Sequence, residues 1–88
     1  MIDPTLWPAA DRSRRIELAE RAHREICRML RLPITELIFL SVPMMGAMIR
    51  RNELTDALSC DPLLVHGSDP SHLVGSLVRE HCVRANLR

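Results

Sequence analysis

The sequence predicts an all-α fold, a small single-domain bundle of four to five helices. Apolar residues recur at helical spacing along much of the chain, and no alternating pattern is long enough to indicate a strand. Capping acids stand directly before prolines at Asp61-Pro62 and Asp69-Pro70, a typical helix start. With 88 residues, we expect an N-terminal arm over 1–10 and a single helical domain over 11–88.

The first predicted helix starts near Asp11 or Ser13, either of which can cap free backbone amides, and runs to about Arg31. The face of this helix opposite its apolar stripe carries acidic and basic residues four positions apart, which predicts a solvated surface. The predicted inward stripe consists of Ile16, Ala19, Ala22 or His23, Ile26, Met29 and Leu30.

The middle of the chain predicts two further helices. Pro33 ends the first helix, and Thr35 can cap a short helix through Leu40, which we expect to be buried. Ser41 can cap a third helix over 42–51, with a glycine in its middle that costs about 1 kcal/mol relative to alanine. The methionines at 44, 45 and 48 give this helix an adaptable apolar surface, suited to a core or to a contact with another helix.

The C-terminal third predicts a turn over 53–58, one helical turn after Asp61 that ends at Gly67, and a last helix from Pro70 to about Asn86. The apolar side of the last helix comprises Leu73, Val74, Leu77, Val78, His81 and Cys82 or Val83.

Composition excludes several classes of function. The 12 basic residues, all arginines, nearly balance the 11 acidic ones, and the net charge of +1 argues against a domain that binds nucleic acid alone. Trp7 and Phe39 are the only aromatic residues, too few for a base-stacking platform. A hydrophobic fraction of 47% is high for so short a chain, which favours an obligate oligomer.

The three cysteines, an odd number, and the absence of a signal-peptide pattern favour the cytoplasm. No membrane span and no enzyme motif is predicted, and we expect neither catalytic residues nor a cofactor. The nearest approach to a metal site is a scattered donor set without paired spacing, so no metal ligands are assigned. That set comprises Cys60, His66, His72, His81 and Cys82.

Two blocks of sequence, 29–36 (MLRLPITE) and 40–54, which opens with LSVPMM and closes with NEL, resemble FlhD-type subunits of bacterial master transcriptional activators. That family carries an "MFRLGINE"-like block, then "LTLPxM" followed by "NxL" at the same spacing. The resemblance covers about a third of the chain directly. The chain is short for a flagellar member, which suggests a divergent relative encoded by a mobile element.

The resemblance implies an intertwined all-helical homodimer that joins a larger FlhC-type subunit, binds promoter DNA as part of that complex and activates transcription. It implies no enzyme activity. The dimer or partner interface expected from it and from the apolar pattern comprises Leu40, Val42, Met45, Met48, Ile49 and Leu54. The polar residues expected to contact DNA or the partner are Arg31, Arg50, Arg51 and Asn52.

Helical spacing alone leaves two other classes of protein open. One is a small helical adaptor or anti-activator that binds and inhibits one protein target. The other is a small metal-binding or enzymatic domain.

Overall fold

A computed structural model describes residues 1–43 and 46–86, which form three helices and one three-stranded sheet. The elements follow the order α1 (Arg12–Met29), β1 (Leu37–Phe39), β2 (Ile49–Arg51), β3 (Leu58–Cys60), α2 (Pro62–His66) and α3 (Ser71–Arg84). The prediction of an all-α bundle of four to five helices, and with it an intertwined helical dimer, is therefore wrong. The domain is a small mixed α/β structure.

Helix α1 confirms the first predicted helix and both of its boundaries to within two residues. The Asp11 side chain accepts a hydrogen bond from the Arg14 amide and caps the N-terminus. At the other end, Arg31 N–H donates to Arg28 C=O and Leu32 N–H donates to Cys27 C=O. This pair of bonds is a Schellman motif, and it places Arg31 in the left-handed region at φ 55°.

The sheet has the strand order β1-β3-β2. Strands β1 and β3 run parallel, with Phe39 opposite Cys60, and β2 runs antiparallel to β3, with Ile49 also opposite Cys60. Buried and exposed residues alternate across the sheet, because Leu58, Cys60 and Ile49 face the helices while the intervening residues face away. The helices therefore cover one face of the sheet only.

Both helices predicted over 35–51 are wrong, since this segment supplies β1 and β2. Leu37-Ile38-Phe39 is a short apolar run, which periodicity cannot assign to a buried helix or a strand. Pro43 lacks an N–H, and Gly46 adopts φ +67°, a conformation incompatible with the middle of an α-helix. Three-residue strands are too short to show an alternating pattern by themselves.

The C-terminal helices agree with the sequence prediction. The Asp61 side chain accepts from the Leu63 amide and caps α2, and Gly67 follows its last residue. Asp69 accepts from the amide and hydroxyl of Ser71 at the start of α3. The helix ends at Arg84, two residues before the predicted end.

The N-terminal segment 1–10 packs onto the body through Trp7, which is fully buried. The Trp7 indole N–H donates to Gly67 C=O at 2.7 Å, and the Arg15 guanidinium lies 5.0 Å from the ring centroid. Arg15 also donates to the backbone carbonyls of Trp7, Val65 and Gly67. One arginine on α1 thus joins the N-terminal segment to the C-terminal end of α2.

The core lies between the helices and the covered face of the sheet. Its buried apolar members are Trp7, Leu18, Ala19, Ala22, Ile26, Ile49, Leu58, Cys60, Leu64, Val65, Leu73 and Leu77. Among the described residues, no helix is long and apolar enough to span a bilayer.

Candidate functional site

The uncovered face of the sheet is the first candidate site. The strand register aligns Ile38, Ser59 and Arg50 in one row across all three strands, and residues in one row project from the same face. Ile38 and Arg50 are exposed and Ser59 is half-buried, whereas the residues of the two flanking rows are all buried or half-buried. We call this surface, with the exposed residues of its connecting segments, the open sheet face.

Apolar side chains are unusually exposed along this part of the chain. Leu54, in the turn between β2 and β3, is 96% exposed, and Val42, between β1 and β2, is 63% exposed. Met48 directly precedes β2 and is 39% exposed, close to the 37% of Ile38. These side chains, together with exposed Ile34 before β1, all belong to the sheet or to the segments that precede and connect its strands.

A cavity of about 470 Å³ adjoins the outer edge of β2. The alternation of hydrogen-bonded pairs in the β2–β3 ladder directs the backbone groups of Ile49 and Arg51 away from β3, towards this edge. The side chains around the cavity are mixed in charge. Its lining comprises Met48, Ile49, Arg50, Arg51, Glu53 and Glu80.

The residues predicted for the apolar interface divide into three groups. Val42, Met48 and Leu54 are exposed on the open sheet face or its loops, as an interface requires. Ile49 is buried in the domain's own core, and Leu40 is half-buried, with its amide bonded to Cys60 C=O. Met45 lies outside the described residues.

Two of the predicted polar contacts have clear local roles. Arg31 is exposed and completes the end of α1 through its backbone, and Asn52 caps the β2–β3 turn by accepting from the amides of Leu54 and Thr55. Arg50 is exposed on the open sheet face, on the edge strand β2. It remains available for an external contact.

Arg51, by contrast, is largely buried and takes part in an ion-pair network. Its guanidinium donates to Asp56 Oδ1 at 2.9 Å, and Arg84 Nε donates to Asp56 Oδ2 at 3.3 Å. Asp56 lies in the turn with φ 60°. Its two carboxylate oxygens join the β2–β3 hairpin to the end of α3. This network positions the turn that presents Leu54.

The second candidate site is a buried cluster that joins α1 and α3. His23 and Cys27 stand four residues apart on α1 and therefore project from one face of that helix. His81 of α3 places Nε2 2.9 Å from His23 Nδ1 and 3.6 Å from Cys27 Sγ. All three residues are buried, and their donor atoms lie within 4.8 Å of one another.

The surroundings of this cluster define the protonation of both rings. His23 Nε2 lies 2.7 Å from Thr35 C=O, an acceptor, so this nitrogen carries the proton and Nδ1 is bare. His81 Nε2 must then donate to His23 Nδ1. Burial lowers the pKa of His23, and burial together with His23 lowers the pKa of His81 to about 4, so both rings are neutral near pH 7.

Arg84 completes the cluster from α3. Its side chain is only 5% exposed, and one guanidinium nitrogen lies 3.9 Å from Cys27 Sγ while another donates to Pro33 C=O at 2.6 Å.

This cluster was not predicted from the sequence, although the spacing of two of its members indicates it. Of the scattered cysteines and histidines considered as metal ligands in the sequence, only His81 belongs to the cluster. The His23-x-x-x-Cys27 spacing presents two donors on one helix face, as the HxxxH spacing does. Since His23 and Cys27 stand in an apolar stripe, they read as ordinary core residues.

Comparison with known protein families, curated proteins and solved structures finds no match for this chain.

Proposed function

We propose that this protein is a non-enzymatic interaction module whose open sheet face binds a second copy of the chain. The observation that carries the proposal is the series of exposed apolar side chains in the sheet and its connecting segments, which hold five of the ten exposed large apolar residues among those described. Ile38, Met48 and Leu54 belong to the sheet or its hairpin, and the helices leave that face uncovered.

The sheet face that the helices leave open can be covered by association. The sheet is mixed, and a sheet with an antiparallel pair can leave one face to solvent, so the strand arrangement permits a cover without requiring one. A domain of 88 residues also has a thin core, and burying an exposed apolar face by self-association offsets that deficit.

Charge supports a second copy as the occupant. The net charge of +1 gives two copies little reason to repel each other. Arg50 and Glu53 are exposed and opposite in sign, three residues apart. A two-fold axis beside them would pair each residue with the other in the partner copy, as an isologous interface requires.

The wider role in transcription stays a prediction from the sequence resemblance. An FlhC-type partner and promoter DNA are proposals of that kind, and the all-helical fold that the resemblance implied is wrong. A cytoplasmic location is a separate proposal, which rests on the odd number of cysteines. An inhibitory adaptor that binds one protein target is equally compatible with an interaction module. In either case the homodimer is the simplest unit to test.

Sedimentation equilibrium of the wild type and three variants tests the proposal. Met48→Asp and Leu54→Asp place a charge on the open sheet face, where association would bury it without a partner. Leu63→Asp is the matched control, because Leu63 is 46% exposed but lies on α2, at the helical side of the molecule.

We expect the wild type and Leu63→Asp to form dimers, and Met48→Asp and Leu54→Asp to remain folded monomers with unchanged circular dichroism. A wild type that is monomeric at all concentrations would overturn the proposal. Equal dissociation of all three variants would show that the dimer uses another surface.

A further inference from the structure

The geometry points to an intramolecular metal site formed by His23 Nδ1, Cys27 Sγ and His81 Nε2, which binds Zn²⁺ between α1 and α3. Two imidazole nitrogens and one thiolate are ligands that Zn²⁺ favours in proteins. The three donors come from two helices that pack against each other, and each donor is buried among described residues.

The distances require only a small adjustment at the histidine pair. Tetrahedral zinc with Zn–N near 2.0–2.1 Å and Zn–S near 2.3 Å separates two nitrogens by about 3.3 Å and a nitrogen from sulfur by about 3.6 Å. The observed 3.6 Å between Cys27 Sγ and His81 Nε2 agrees with this value. The 2.9 Å between His23 and His81 must lengthen by about 0.4 Å, which a small ring rotation provides.

The third edge of the donor triangle, between Cys27 Sγ and His23 Nδ1, is at most 4.8 Å. A tetrahedral site needs about 3.6 Å here, so the two side chains, both on α1, must approach each other by at most about 1.2 Å. Three protein ligands leave a fourth position for a water molecule or another exogenous donor.

The groups behind the ligands are those that metal-binding residues commonly use. His23 donates its other ring proton to Thr35 C=O, which fixes the tautomer with Nδ1 free for the metal. The Arg84 guanidinium lies 3.9 Å from Cys27 Sγ and would remain hydrogen-bonded to the thiolate. Neither contact competes for a ligand lone pair on the histidines.

Metal binding can be written with its protons balanced. The Cys27 thiol loses its proton to solvent as the sulfur binds Zn²⁺. The proton that His81 Nε2 shares with His23 moves through solvent to His81 Nδ1, so each ring stays neutral and offers one bare nitrogen. The net change is the release of one proton for each Zn²⁺ bound, with no change of oxidation state.

Cobalt and zinc titrations of the purified, chelator-treated protein under reducing conditions test the site. Co²⁺ bound by a thiolate gives a sulfur-to-cobalt charge-transfer band in the near ultraviolet and visible bands typical of a four-coordinate ion. We expect these bands to saturate at one Co²⁺ per chain, Zn²⁺ to abolish them, and Zn²⁺ to raise the midpoint temperature of unfolding.

Matched cysteine variants locate the site. Cys27→Ser should lose the charge-transfer band, whereas Cys82→Ser, which alters the residue next to His81 outside the cluster, should retain it. His23→Gln should weaken Co²⁺ binding at least tenfold. A band that survives in Cys27→Ser but disappears in Cys82→Ser would overturn the assignment.

If the Cys27 or His23 variants fail to fold, X-ray absorption of the zinc-loaded wild type identifies the zinc ligands instead. One sulfur and two imidazole ligands per zinc are expected. A folded wild type that binds no Zn²⁺ or Co²⁺ stoichiometrically, or a zinc shell without sulfur, would show that the cluster is a metal-free hydrogen-bond network.

Discussion

His81 donates a hydrogen bond from Nε2 to Nδ1 of His23 across 2.9 Å, and this contact joins the two longest helices in the buried centre of the domain. The rings lie 4.8 Å apart between centroids and are tilted by 32°. Neither ring can gain a second proton without placing a charge beside its neighbour and beside Arg84. The contact therefore requires His23 Nδ1 to stay unprotonated, and burial beside His23 and Arg84 keeps His81 neutral as well.

We expect the metal-free protein to lose stability as the pH falls through the range between 6.5 and 4. The pKa of His81 is lowered from 6.5 to about 4, so the unfolded chain takes up the proton first, and the stabilisation present above pH 6.5 declines until the folded protein also titrates. The loss amounts to at most about 3 kcal/mol. Urea unfolding at several pH values, with chelator present, measures it.

The control for this prediction is an exposed histidine on the same helix. His72→Gln should leave the pH profile of the unfolding free energy unchanged, whereas His81→Gln should flatten it between pH 6.5 and 4. An identical slope in the wild type and His81→Gln would assign the acid sensitivity to other groups.

Arg15→Ala should destabilise the domain by about 2 kcal/mol or more. The guanidinium donates to the carbonyls of Trp7, Val65 and Gly67 and stacks on the Trp7 ring. Its removal takes away all of these contacts and leaves the Val65 carbonyl without its donor, whereas the other two carbonyls keep one each. Thermal unfolding followed by circular dichroism measures the effect. Arg14→Ala is the control, since Arg14 is exposed and pairs only with Glu17 on the surface, and its loss should cost less than about 0.5 kcal/mol.

Arg50 and Arg51 are adjacent but should respond differently to alanine. Arg51→Ala removes the 2.9 Å ion pair with Asp56 from a largely buried position, and we expect it to cost about 1–2 kcal/mol of unfolding free energy. Arg50→Ala should leave the unfolding free energy unchanged at concentrations where the protein is monomeric, and it should weaken self-association at higher concentrations. Chemical denaturation and sedimentation of both variants separate the two roles; equal destabilisation would contradict them.

Arg31→Gly should stabilise the monomer by about 0.5–1 kcal/mol. A non-glycine residue in the left-handed region costs about 1–2 kcal/mol, and the greater freedom of glycine in the unfolded chain offsets part of that gain. Arg31→Ala keeps the same strain and serves as the control. If Arg31 also contacts a partner, the glycine variant will bind more weakly while unfolding at a higher temperature.

The sequence predicts the helices well where capping and periodicity agree. Asp11 and Asp61 cap their helices as expected, because the capping bond is local and needs no tertiary partner. The sheet could not be predicted in this way. Strand β1 becomes a strand by pairing with β3, 21 residues further along the chain, and that pairing leaves no local signal in three residues.

In the candidate sites, too, the features set by local sequence were predictable and those that depend on tertiary packing were not. Exposed Met48 and Leu54 follow from the excess of apolar residues, whereas the burial of Ile49 in the domain's own core depends on the sheet and could not be told from burial at an interface. The helical pattern of α1 is enough to place His23 and Cys27 on one face of that helix. The approach of His81, which is 54 residues beyond Cys27, depends on how α1 packs on α3.

An NMR dilution series of the uniformly ¹⁵N-labelled wild type tests the central claim most directly. If two copies associate through the open sheet face, the amide signals of Ile38, Arg50 and Ser59 will shift with concentration while those of Glu17 and Arg21, on the exposed face of α1, stay fixed. Spectra that do not change with concentration, or shifts confined to α1, would contradict the account.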